Sequence, residues 1–141
     1  MSEDNKIFVL DTSALLTYIE DEEGSDYVEN LLIQAEKGIV EINISFVSIT
    51  EIFYIMTREK GETIATEKIR LIQSLAIKVQ ESNETLNIIA GKIKANYSIS
   101  LADSYIAALS QHLSGILVHK DPEFEELSLL IKDHKLPYKL S

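Results

Sequence analysis

Four carboxylates stand where an apolar run passes into the start of a predicted helix. Asp11 closes Ile7-Phe8-Val9-Leu10-Asp11-Thr12-Ser13, and Glu51 closes Ser48-Ile49-Thr50-Glu51. Asp103 lies in Ser100-Leu101-Ala102-Asp103-Ser104, and Asp121 in Leu117-Val118-His119-Lys120-Asp121-Pro122. In an open parallel α/β sheet the carboxyl ends of the strands share one edge, so residues far apart in sequence meet in one crevice. Carboxylates crowded there repel, by about 4 kcal/mol per pair at 4 Å and an effective dielectric of 20. Several such repulsions rival the whole stability of a domain, about 5–15 kcal/mol. Such a cluster must bind a cation or take up protons, and a hard oxygen-ligated dication such as Mg²⁺ or Mn²⁺ is the natural occupant.

Each acid also has a simpler reading. Ser48-x-x-Glu51 and Ser100-x-x-Asp103 have the form of capping boxes. Asp121-Pro122 fits a helix N-cap followed by proline at the first helical position, and Asp11 can cap a helix opening at Thr12. The two readings coexist, because a helix N-terminus stabilises a carboxylate as the anion that a hard cation binds.

The elements that must place these acids follow from the pattern of apolar residues. Ile7–Leu10 reads as a short buried parallel strand, and Ile39–Ile44, Ala76–Val79 and Gly115–His119 as the second, third and fourth strands. Helices are predicted after Asp11 (Ala14, Leu15, Leu16, Tyr18 and Ile19) and over 26–37 with Gly38 as the stop. Others follow over 47–58, ending near Gly61, and over 63–75, 83–97, 101–113 and 122–130. A last edge strand is expected over Leu136–Leu140, since Pro137 suits only an edge. Strands alternating with helices predict a parallel sheet covered on both faces, in one domain spanning 1–141.

With no cysteine among the 141 residues there is no disulfide framework, thiolate metal site or cysteine nucleophile. The amino terminus lacks a basic n-region, and no apolar stretch reaches the roughly 18–20 residues of a membrane helix, so a cytoplasmic location is expected. The net charge of −10 lies in the first third of the chain, notably Glu20-Asp21-Glu22-Glu23 and Asp26, while residues 52–141 balance. That run reads first as a solvated helix entry, and second as a guard beside the site or a dock for a basic partner.

The ordered set Val9-Leu10-Asp11-Thr12-Ser13-Ala14-Leu15, Ser48-Ile49-Thr50-Glu51-Ile52-x-Tyr54, Ser100-Leu101-Ala102-Asp103-Ser104-Tyr105-Ile106-Ala107-Ala108 and Asp121-Pro122-Glu123-Phe124 resembles the PIN domain, and within it the VapC-type toxin ribonucleases. The resemblance implies a three-layer α/β/α sandwich around a parallel sheet of about five strands. It implies that Asp11, Glu51, Asp103 and Asp121 are the catalytic acids and hold Mg²⁺ or Mn²⁺, with Ser13 supporting them. It further implies hydrolysis of RNA phosphodiesters by water that the metal activates, 5′-phosphate and 3′-hydroxyl products, pairing as a homodimer, and inhibition by a cognate antitoxin. One departure stands out: two residues before the fourth acid the family usually has Thr or Ser, and here His119 stands. A structural or exposed role is expected for His119, and bland roles for His112 on a helix and His134 in a polar tail.

Substrate contacts must come from scattered bases. Lys120, beside the fourth acid, is the first candidate and Arg58 the second, acting on phosphates without reading sequence. Three rival readings fit the acids less well. A receiver domain needs a phosphoacceptor Asp after its middle strand, where Ser45-Phe46-Val47-Ser48 has none. A haloacid-dehalogenase-like phosphatase wants a second Asp two residues after Asp11, where Ser13 sits. A catalytically silent PIN-like module that binds RNA or protein is the remaining alternative.

Overall fold

The computed structural model describes residues 6–137 of the chain. Among these residues five strands form one sheet: β1 (Lys6–Leu10), β2 (Val40–Ser45), β3 (Lys78–Gln80), β4 (Ile116–His119) and β5 (Lys132–Lys135). All the strand pairs are parallel, in the order β3-β2-β1-β4-β5. Six α-helices join them: α1 (Thr12–Ile19), α2 (Ser25–Glu36), α3 (Phe46–Lys60), α4 (Glu62–Ser74), α5 (Glu84–Asn96) and α6 (Leu101–Leu113). A 3₁₀ turn over Pro122–Leu127 leads from β4 toward β5.

Period-two alternation along the strands builds two cores. Phe8, Leu10, Ile42, Ile44 and Val118 face one way and pack with Leu15, Val28, Leu31, Ile52, Met56 and Ile72 from α1 to α4. Val9 and Leu117 face the other way and pack with Leu86, Ala90, Ile93, Ile106 and Leu109 from α5 and α6. Because both faces are covered, β1 and β4 read as apolar runs, whereas β2 alternates Val40, Ile42 and Ile44 with Glu41, Asn43 and Ser45. This is the expected three-layer α/β/α sandwich.

Strand order decides where a ligand goes. Successive strands step from β1 outward through β2 to β3, and then the chain returns to lay β4 on the other side of β1. The direction of winding reverses between β1 and β4, and the crevice at the carboxyl ends of those two strands is the topological switch point. Asp11 N donates to Val118 O at 3.0 Å and locks the two strand ends together there.

Helix ends follow local chemistry. Gly61, at φ 95°, takes the conformation that separates α3 from α4. Ser114 closes α6 in the left-handed region at φ 52°, a position that glycine occupies without strain. Ser114→Gly should therefore raise stability by about 0.5–1 kcal/mol, the relief of left-handed strain less the extra freedom of the unfolded chain. Thermal denaturation followed by circular dichroism would measure it.

Three expectations are corrected by the structure. The last strand among the described residues is Lys132–Lys135; of the expected Leu136–Leu140, residues 136 and 137 are not in a strand and 138–140 lie outside the described residues. Leu136 instead buries its side chain in the first core, and a Cβ placed on Gly24 would stand 3.4 Å from Leu136 Cβ and 3.3 Å from Pro137 Cδ. The predicted helix over 122–130 is a shorter 3₁₀ turn ending at Leu127. His134 belongs to β5 rather than a tail, and its ring stacks on Tyr27 of α2 at 3.9 Å between centroids.

Candidate active site

Asp11, the first residue after β1, is the N-cap of α1: its Oδ2 accepts from Ser13 N at 3.0 Å. Ser13 Oγ accepts from Lys120 N at 2.8 Å, so its own proton is free to donate to the same Oδ2. One carboxylate oxygen is thereby fixed from two directions. The other, Oδ1, is buried and has no hydrogen-bond partner. A buried anionic oxygen without a partner costs a few kcal/mol unless a ligand or a proton meets it.

Asp121 comes from the segment after β4 and caps the 3₁₀ turn, its Oδ1 accepting from Glu123 N at 2.9 Å. Asp103 sits in the first turn of α6, where Ser100 Oγ accepts from Asp103 N at 3.1 Å. Asp11, Asp103 and Asp121 each offer a carboxylate oxygen, and those oxygens lie within 4.8 Å of one another. Oxygens on opposite sides of an octahedral Mg²⁺ are about 4.2 Å apart, twice the usual ligand distance. The spacing, the all-oxygen donor set and the unpartnered Asp11 Oδ1 together fit a hard divalent cation.

The protonation behaviour of the acids says the same thing. Burial pushes the Asp11 carboxyl from 3.8 up to about 6, with Asp121 and Glu51 adding repulsion against the Ser13 hydrogen bonds. Burial is also the main cause at Asp103, whose carboxyl rises from 3.8 to about 10. Contact with the Glu123 carboxylate, the charges of Asp11 and Asp121, and contact with the Asp121 carboxylate follow in that order. Without a cation the cluster keeps a proton to offset its own charge.

Glu51 stands apart from this trio. It lies on the second turn of α3, near enough to Asp11 to raise that carboxyl, and its Oε1 accepts from Thr12 Oγ1 at 2.6 Å. The Ser48-x-x-Glu51 capping reading is not realised: Ser45 caps α3, accepting from Val47 N at 3.3 Å. Ser48 is buried inside the helix, its Oγ 2.9 Å from Thr12 Oγ1. The capping reading does hold for Asp11, Asp121 and Ser100. Asp11 and Asp121 are at once caps and members of the convergent acid cluster, and Ser100 caps the helix that carries the third member, Asp103.

The two candidate substrate bases are already engaged. Lys120 Nζ donates to Glu23 O at 2.9 Å and lies 3.7 Å from Glu22 Oε1, so the side chain ties the acidic run to the segment before Asp121. That placement puts the acidic run beside the site. The Arg58 guanidinium lies over the Tyr54 ring, 5.1 Å from its centroid. It stands about 10 Å along α3 from Glu51, at 1.5 Å per residue.

Three contributors were not singled out from sequence. Glu123 touches the Asp103 carboxyl. The signal was present in Asp121-Pro122-Glu123, because a tight turn begun by proline brings a residue two places on back to the same mouth. Thr12 holds Glu51, and Asp133 pairs with His119 through contacts that no local pattern announces.

The sequence profile of the PIN domain matches residues 8–130 of this chain. Among curated proteins, none matches it. Among solved structures, the chain is similar to VapBC2 from Rickettsia felis bound to a DNA fragment from its promoter, with TM-score 0.75 and 18% identity over 93% of this chain and 99% of that one. It is similar to VapBC-1 from nontypeable Haemophilus influenzae, with TM-score 0.70 and 19% identity over 92% and 97%. It is also similar to VapC20 of Mycobacterium tuberculosis, described as a toxin that cleaves the sarcin-ricin loop, with TM-score 0.67 and 16% identity over 86% and 95%. At these identities the likeness is one of fold. With the profile spanning nearly all of the described residues and the acid cluster at the switch point of a five-stranded parallel sheet, the chain belongs to the PIN domain family.

Proposed function

We propose that this protein is a Mg²⁺- or Mn²⁺-dependent endoribonuclease acting in the cytoplasm as the toxin of a toxin–antitoxin pair. The observation that carries the reading is the meeting of Asp11, Asp103 and Asp121 oxygens within 4.8 Å around a buried, unpartnered carboxylate oxygen. Asp11, Asp103 and Asp121 would hold the ion, with Glu51 at the rim as the fourth acid. When bound, the ion lowers the pKa of water and offsets charge on the phosphate oxygens.

The remaining residues prepare the acids for that task. Ser13 donates to Asp11 Oδ2 while its oxygen is fixed by Lys120 N, so the Asp11 carboxylate cannot rotate its unpartnered oxygen away. Thr12 orients Glu51 toward the same mouth. Glu123, exposed at the start of the 3₁₀ turn, stands against the Asp103 carboxyl and raises it. No helix among the described residues is long and apolar enough to cross a membrane, which agrees with action on RNA inside the cell.

VapBC complexes among the structural neighbours support a cognate antitoxin as partner. The acidic run beside the site, Glu20 to Glu23, supports a partner segment carrying positive charge. Pairing as a homodimer completes the reading and is checked by the mass in solution.

The test is cleavage of total RNA with Mn²⁺ present, with the ends mapped. Wild type should leave 5′-phosphate and 3′-hydroxyl ends and stop on chelation. Asp11→Asn should reduce cleavage at least 100-fold, as losing a ligand or its support commonly does. Equal cleavage by wild type and Asp11→Asn would refute the reading. No cleavage of any RNA, together with tight RNA binding, would favour the silent module instead.

A further inference from the structure

We propose that His119, aligned by Asp133 of the edge strand, is a positioning residue that sets the backbone at Asp121 for metal binding; this rests on the metal-site reading above. His119 is the last residue of β4 and has no exposed surface. Both ring nitrogens are used. Asp121 N lies 3.2 Å from His119 Nδ1, and His119 Nε2 lies 2.9 Å from Asp133 Oδ2.

The direction of these bonds follows from chemistry. A backbone N–H only donates, so Nδ1 must be the acceptor and carries no proton. The ring proton therefore sits on Nε2 and is donated to the Asp133 carboxylate. Asp133 selects the tautomer, and the tautomer holds the amide of Asp121.

The rest of the ring's surroundings restrict its motion. His119 packs against Phe124, with 5.0 Å between ring centroids, and Phe124 is itself fully buried beneath the 3₁₀ turn. His119 O accepts from Leu136 N at 2.8 Å, so backbone and side chain are both tied to the segment containing β5. The acceptor at Nδ1 is two residues from the carboxylate it positions, so a shift there moves the Asp121 side chain and the start of the 3₁₀ turn together. The parallel pairing with β4 sets Asp133 opposite Leu117 and Lys135 opposite His119, so Asp133 reaches the His119 ring diagonally, two positions along the same face.

Two substitutions separate the roles of the two nitrogens. In His119→Asn the amide oxygen stands near the place of Nδ1 and can accept from Asp121 N. In His119→Gln the longer side chain reaches toward Asp133 but offers nothing at the Nδ1 position. Mn²⁺ affinity is measured by titration calorimetry on the full chain, with melting temperature recorded for each variant. His119→Asn should stay within about threefold of wild type, whereas His119→Gln should lose about 10–100-fold, the usual cost of removing a group that orients a ligand. Asp133→Ala should lose affinity in the same direction, and two-bond ¹⁵N–¹H spectra of wild type should show the Nε2–H tautomer of His119.

A purely structural role would lower the melting temperature of both His119 variants and leave their affinities alike. Equal affinity of the Asn and Gln variants, with wild type binding Mn²⁺, would overturn the positioning role and leave the metal site standing. Failure of wild type to bind Mn²⁺ would overturn both. Should His119→Gln not fold, the tautomer in wild type and the affinity of Asp133→Ala decide: an Nδ1–H tautomer, or unchanged affinity, would refute the proposal.

Discussion

Replacing Asp103 with Asn is expected to raise the melting temperature of the metal-free protein at pH 7.5 by about 5–10 °C, while removing the stabilisation that Mn²⁺ gives wild type. The sign follows from protonation. Asp103 in the folded chain titrates at about 10, against 3.8 for an ordinary aspartate, so the folded state holds a proton that the unfolded chain has lost. Stability from this group is therefore whole below about pH 4 and falls as pH rises toward 10. At pH 7.5 the penalty has an upper bound of about 5 kcal/mol, from 1.36 kcal/mol per pH unit. Asparagine carries no such proton, but it must bury an amide beside carboxylates, so about half of that gain should survive. Asp11, at about 6, adds a smaller loss confined to the interval from about pH 4 to 6. Calorimetry in chelator at pH 5 and pH 8 measures the effect: the difference between variant and wild type should be larger at pH 8. A lower melting temperature for Asp103→Asn at pH 8 would show that its carboxyl is not strained.

The second large effect concerns the ion itself. A dication binds the deprotonated acids, so binding must displace the proton that Asp103 keeps. Mn²⁺ affinity should then rise about tenfold per pH unit between pH 6.5 and 9, and more steeply below pH 6, where Asp11 also holds a proton. Titrations in buffers of different ionisation enthalpy should report about one proton released per site at pH 7.5. An affinity independent of pH across that range would mean that the cluster is already fully ionised without metal.

How much of this was legible in the residues depends on what each element does. β1 and β4 place apolar residues in both cores and their apolar runs announce them, whereas β2 is announced by the alternation of Val40, Ile42 and Ile44 with Glu41, Asn43 and Ser45. β5 could not be read, because an edge strand needs only its backbone ladder, and Lys132-Asp133-His134-Lys135 shows no apolar alternation. The apolar Leu136 was the decoy; it fills the first core after the strand has ended. The acids were legible as residues that follow apolar runs, whereas their distances were not, since strand order decides which strand ends touch. Once β1 and β4 are neighbours, Asp11 and Asp121 must meet, and α6 brings Asp103 across from the second core.

The contacts that hold the acids were the least visible. Thr12 with Glu51 spans 39 residues and His119 with Asp133 spans 14, and neither leaves a local signature. Lys120 looked like a phosphate ligand by its position alone, yet its side chain reaches the carbonyl of Glu23, a contact across 97 residues that only the fold creates. The departure at His119 was visible in sequence, and its meaning was not: the ring supplies an acceptor for the Asp121 amide from inside the core.

The most direct measurement is anomalous diffraction from crystals soaked in Mn²⁺. A peak within about 2.5 Å of carboxylate oxygens from Asp11, Asp103 and Asp121 is expected, a little beyond the usual 2.0–2.1 Å for Mg²⁺. Saturating Mn²⁺ with no peak among those three side chains would contradict the assignment of this crevice as a metal site.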